Sequence, residues 1–125
     1  MMRSQARKVN LESPERPIVC VDLNGVLDSY TGWKDPDHFD PPRAGAADFL
    51  RALVDRNFAV VVFTTRHPTQ VRRWLREHAL LPYVSAVTRR KPPAHVFVDD
   101  RAVCFTGDFG DALRRISDFK AHWET

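Results

Sequence analysis

The sequence predicts an α/β protein built on a mainly parallel central sheet, and three observations carry that expectation. The apolar runs PIVCVDL (17–23) and FAVVVF (58–63) show no inside–outside alternation, as strands covered on both faces should. Stretches with helical spacing of apolar residues lie between the runs. Acids, hydroxyls and a lysine gather just after the runs, where open α/β sheets bind their ligands.

Taken in order, residues 1–16 set Arg3, Arg7, Lys8 and Arg16 against Glu12 and Glu15, with Pro14 near the end. They read as a mobile polar arm ahead of a single domain over 17–125. PIVCVDL is the first strand. Residues 28–45, DSYTGWKDPDHFDPPRAG, hold three prolines and two glycines and read as a long loop of the functional kind. AADFLRALVDRN (46–57) spaces Phe49, Leu50, Leu53 and Val54 as one helical stripe. FAVVVF is the second strand. HPTQVRRWLREHAL (67–80) opens with a proline suited to a first helical turn and aligns Val71, Trp74, Leu75 and His78. YVSAV (83–87) and HVFVDD (95–100) read as further strands, and VCF (103–105) as a candidate fifth. GDFGDALRRISDFKAHW (107–123) closes the chain with a helix whose Leu113, Ile116 and Phe119 are expected to face the core. Strands alternating with helices give a three-layer, Rossmann-like arrangement.

Composition narrows the function classes. Of 125 residues, 43% are hydrophobic and 28% charged, ordinary values for a globular protein, and the formal net charge is only +3. No apolar run approaches the ~18 residues that cross a bilayer, and MMRSQARKVN lacks the apolar segment of a signal peptide, so no membrane partner and a cytoplasmic location are expected. Cys20 and Cys104 each sit in an apolar run without a CxxC partner, which favours buried thiols over a disulfide or a metal site. No basic stripe interleaved with aromatics marks a dedicated nucleic-acid surface, although contact through the arm stays open.

The strand ends carry the chemistry. Asp22, Asn24 and Gly25 follow the first strand; Thr64, Thr65 and Arg66 follow the second; Lys91 precedes the fourth; Asp99, Asp100 and Arg101 follow it. Three carboxylates, a lysine and hydroxyls in one crevice suit phosphoryl transfer through an aspartate that forms an acyl phosphate. Clustered carboxylates call for a cation between them, and Mg²⁺ prefers hard oxygen ligands. A hydroxyl and an ammonium would hold the remaining phosphoryl oxygens.

Four stretches in order, VDLNGVL, VVVFTTR, RRKPP and VFVDD, resemble the motifs of the haloacid dehalogenase superfamily of phosphatases and phosphotransferases. The resemblance covers roughly residues 17–105 and is to small capless members. It implies Asp22 as nucleophile, Thr64 as the phosphate-binding hydroxyl, Lys91 as the phosphate-binding lysine, and Mg²⁺ held by Asp22, the backbone carbonyl of Asn24, Asp99 and Asp100, with Asp100 the preferred direct ligand. Thr65, Arg66 and Arg101 are further candidates for the substrate phosphate, with an ion pair to a neighbouring aspartate the equal alternative for the two arginines. Tyr30, Trp33 and His38, in the loop over the site, are candidates either to stack on a substrate or to pack the loop onto the domain. The expected partner is a phosphorylated compound, a small molecule or a nucleotide, with sugars and nucleic-acid ends equally admissible at an open site. Oligomeric state is not legible.

One position departs from the pattern. The family has an aspartate two residues after the nucleophile, which protonates the leaving group and then activates water; here Asn24 stands there. An amide donates hydrogen bonds but relays no proton. Three outcomes follow: an enzyme restricted to good leaving groups, another proton carrier such as His38 or His67, or a phosphate-binding module without turnover. A fourth is deamidation of the Asn24-Gly25 pair, which would restore the acid. Rival readings are weaker. A receiver domain would end its middle strand in aspartate, a P-loop needs GxxxxGK[ST], and halide displacement has no use for the Asp99-Asp100 pair.

Overall fold

The computed structural model of the protein describes residues 16–102, 105, 106 and 108–119. The arm predicted over 1–16 lies outside these except for Arg16, whose guanidinium donates to the Phe58 carbonyl at 2.8 Å. Val103 and Cys104 of the candidate fifth strand also lie outside, as does the end of the last predicted helix.

Among the described residues, four strands form one all-parallel sheet in the order β3-β2-β1-β4. They are β1 (Ile18–Asp22), β2 (Ala59–Phe63), β3 (Ala86–Thr88) and β4 (Val96–Val98). The helices are α1 (Ala46–Asp55), α2 (Pro68–Glu77) and α3 (Phe109–Asp118). This is a Rossmann-like α/β architecture with no inserted cap. The two central strands are the valine-rich runs, paired in register from Ile18↔Ala59 to Asp22↔Phe63. Their β-branched side chains pack well on a pleated surface, and being central they are covered on both faces.

Val19, Val21, Val60 and Val62 project to one face and form the main core with Leu50 of α1 and Val71, Trp74 and Leu75 of α2. Ile18, Ala59 and Val61 form a smaller cluster on the other face with Ala86 and Ala94 against it. Cys20 is buried there, with a free thiol that burial pushes up to about 11. Asn57, at φ 68°, ends α1 in the left-handed conformation that asparagine tolerates. The ring of His67 accepts from the Thr69 amide and caps α2, with Pro68 at its first position. Pro82 falls in a 3₁₀ turn, Leu81–Tyr83, so β3 begins three residues later than the sequence suggests. Among the described residues no helix is long and apolar enough to cross a membrane.

Three expectations need correction. Leu113 and Ile116 of α3 are 66% and 60% exposed, and Phe119 is 36% exposed, so this stripe does not face the core. Periodicity reveals that a helix has an apolar side, not what that side meets. Phe49 sits on the outer edge of the α1 stripe at 38% exposure. His78 is exposed because α2 ends at Glu77, and its ring lies beside the Trp74 ring instead.

Burial ranks these side chains for mutation. Leu50→Ala, at a site with no exposure, should lower unfolding free energy by about 2–5 kcal/mol. Leu113→Ala should change it by less than about 0.5 kcal/mol. Urea denaturation of both variants checks the pair.

Candidate functional site

β1 and β4 are neighbours whose connections leave in opposite directions, so the chain makes its topological switch between them. The register Val21↔Val98 carries one step further to set Asp22 beside Asp99. Asp100 follows. Carboxylate oxygens of Asp22, Asp99 and Asp100 all lie within 4.8 Å of one another. These three half-buried acids, far apart in sequence, form the candidate site.

Their surroundings differ. Asp99 is held from two sides: Lys91 Nζ lies 3.4 Å from its Oδ2, and the Arg101 amide donates to its Oδ1 at 2.8 Å. Lys91 itself rides over the rings of Phe63 and Phe97, 5.3 and 5.6 Å from their centroids. Asp100 presses on Gly25, where an added Cβ would fall 2.2 Å from its Oδ2. Gly25 is required twice over, since it also has φ 91°. Asp22 is pushed up to about 7, by burial first and then by the charges of Asp99 and Asp100, with Lys91 opposing.

After β1 the chain makes a wide turn, Leu23–Leu27, closed by the Asp28 amide on the Leu23 carbonyl. Asp28 is wholly buried. Its Oδ1 accepts from the Gly25 amide at 2.8 Å and its Oδ2 from Asn24 Nδ2 at 2.7 Å. Burial raises its carboxyl above the usual carboxylate range, and the bonds from Gly25 and Asn24 partly offset this. Arg43 binds the same turn from outside, donating to the carbonyls of Gly25 and Val26 at 2.9 and 3.3 Å.

Thr64 is buried one step beyond β2, and its hydroxyl oxygen accepts from the Arg66 amide at 2.9 Å. The hydroxyl proton remains available to donate. Thr65 is exposed, and its carbonyl accepts from Arg89. Arg66 departs from the expected phosphate role. It is buried, lies over Trp33 and Phe39, and donates to the carbonyls of Asp35 and Pro36. Its charge pins the long loop to the domain. Trp33 is 62% exposed on the outside of that clamp. His38 bonds Asp40 at 2.9 Å, and His67 is spent on the α2 cap. Tyr30 is half-buried beside Asp28, and the Arg101 side chain is exposed.

Sequence reasoning missed Asp28 and Arg43. Asp28 had a signal, an acid three residues after a glycine in a turn, where a carboxylate can gather backbone N–H groups. Arg43 had none, because it reaches the turn from 18 residues away.

No family model matches this chain, and no curated protein matches it. A solved structure of a conserved protein from Bacteroides thetaiotaomicron superposes with a TM-score of 0.56 at 20% identity, covering 87% of this chain and 96% of that one. At that identity the likeness shows the fold.

Two measurements probe the geometry. Gly25→Ala would force Asp100 aside and strain the turn, so it should cost about 2 kcal/mol or more in urea denaturation. The second concerns pH. A carboxyl whose folded value is about 7 against 3.8 stabilises the fold at low pH, and that contribution is lost as pH rises through about 7. Without divalent cations, Asp22→Asn should therefore stabilise the protein at pH 8 by on the order of 1–2 kcal/mol. The gain should vanish near pH 4, as thermal melts in chelator would record.

Proposed function

We infer that the protein is a Mg²⁺-dependent phosphohydrolase or phosphotransferase of the haloacid dehalogenase type, working through Asp22. The observation that supports this reading most is the crowding of Asp22, Asp99 and Asp100 at the switch between β1 and β4. The donor set fits a hard divalent cation: three carboxylates, one of them driven toward neutrality by burial and then by the charges of the other two. Asp22, Asp100, Asp99 and the Asn24 carbonyl would hold it, and it would supply the charge that keeps Asp22 ionised and offsets the phosphate oxygens.

The chain's own residues define the rest. An ionised Asp22 oxygen attacks phosphorus, the bond to the leaving oxygen breaks, and water later hydrolyses the acyl phosphate. Thr64 offers a hydroxyl proton to one phosphoryl oxygen. Lys91, already beside Asp99, offers an ammonium to another. The long loop, pinned by Arg66, bounds the crevice without a cap, which leaves room for bulky phosphorylated substrates.

A second reading has its own support. Asn24 cannot relay a proton, and its nitrogen is engaged by Asp28. A site that binds phosphate without turning it over fits that arrangement, and substrates with good leaving groups separate the two. With Mg²⁺, acetyl phosphate should be hydrolysed and para-nitrophenyl phosphate much less so. Asp22→Ala should abolish turnover, and a chelator should do the same. Asn24→Asp should quicken the poorer substrate by about tenfold or more, since general acid catalysis contributes roughly 10²–10⁴-fold and Asp28 would share a proton with the new acid. No turnover of either substrate, with Mg²⁺-dependent phosphate binding retained in calorimetry, would establish the binding module instead.

A further inference from the structure

We propose that Asp28 is a positioning clamp that keeps residue 24 an amide, holding the Asn24-Gly25 pair in a geometry from which it cannot deamidate. The inference stands on the turn itself and is independent of whether Asp22 is a nucleophile.

Asn-Gly is the dipeptide most open to this reaction because glycine leaves the attacking nitrogen unhindered. The Gly25 nitrogen would attack Cγ of Asn24, forming the N–C bond of a succinimide. The bond from Cγ to Nδ2 breaks, and the proton lost by the Gly25 nitrogen leaves with Nδ2 as ammonia. Water then opens the ring to aspartate or isoaspartate. Ring closure requires Cβ of Asn24 to eclipse the Gly25 nitrogen about the Cα–C bond. For an L-residue this means ψ of about −120°. Asn24 has ψ 122°, a rotation of roughly a third of a turn from closure.

Asp28 holds it there. One oxygen accepts from the attacking nitrogen, at 2.8 Å, and the other from the departing nitrogen, at 2.7 Å. A single carboxylate thus grips both atoms whose relative movement the reaction needs. Rotation toward closure would break both bonds and leave a fully buried acid without these donors, which is costly. The product is disfavoured too. Aspartate at 24 would meet Asp28 at the distance of the present hydrogen bond, and two carboxyls that close must share a proton. The sequence alone marks Asn24-Gly25 as a deamidation site; the fold reverses that expectation.

The test is peptide mapping of the full chain held at 37 °C and pH 7.4, following the mass gain of about one dalton at Asn24. A synthetic peptide of residues 18–30 and the chain in urea are incubated alongside. Deamidation in the native chain should be at least about tenfold slower than in the peptide. Asp28→Ala, shown to be folded by near-ultraviolet dichroism, should lose most of that protection. If this variant does not fold, Asp28→Asn, which keeps one acceptor oxygen and removes the other, is mapped in its place and should likewise deamidate faster than the native chain. Native protein converting at the peptide's rate, or a folded Asp28→Ala chain as slow as the wild type, would overturn the clamp.

Discussion

The candidate site depends on keeping acids together at one rim of a parallel sheet. Asp22 and Asp99 end adjacent strands in step, Asp100 follows, and burial together with the like charges drives Asp22 up to about 7. Such a cluster works against stability unless hydrogen bonds or counter-charges answer it. Lys91 and the Arg101 amide answer it at Asp99. Gly25 gives Asp100 the space it occupies. The glycine, the lysine and the parallel register all serve one electrostatic arrangement.

Behind that rim a second, wholly buried acid does different work. Asp28 gathers the Gly25 amide and the Asn24 side chain, so the turn after β1 is organised around a carboxylate that solvent does not reach. Arg43 fastens the turn from the loop side and Arg66 fastens the loop to the sheet. The long segment between β1 and α1 is therefore tied where its two ends meet, by Arg43, and at its middle, by Arg66, each guanidinium bonding backbone carbonyls. Arginine suits this role because its planar fork can bond carbonyls at its edge while its face rests on Trp33 and Phe39.

The parts of the fold legible in sequence were those with strong local signals. The runs IVCVD and AVVVF became β1 and β2, and Pro68 began α2. The weaker signals moved or failed. β3 shifted because Pro82 holds a 3₁₀ turn, and the apolar stripe of α3 is exposed because nothing in an amphipathic pattern names its partner. In the site, the clustering of Asp22 with Asp99 and Asp100 follows from the rule that open sheets use their carboxyl ends. Arg66 did not follow from its place beside Thr64, since its contacts lie on a loop some thirty residues earlier.

By itself the sequence determined the type of each main element, the valine-rich centre of the sheet and the identity of the acids, because period, turn chemistry and residue type are local properties. Only the tertiary structure decided which acid each of them meets. It placed Asp28 against Asn24 and Gly25, Lys91 against Asp99, and Asp100 against a glycine. The physical reason is that charge interactions depend on separation in space and on burial, and neither is written in the spacing of residues along a chain.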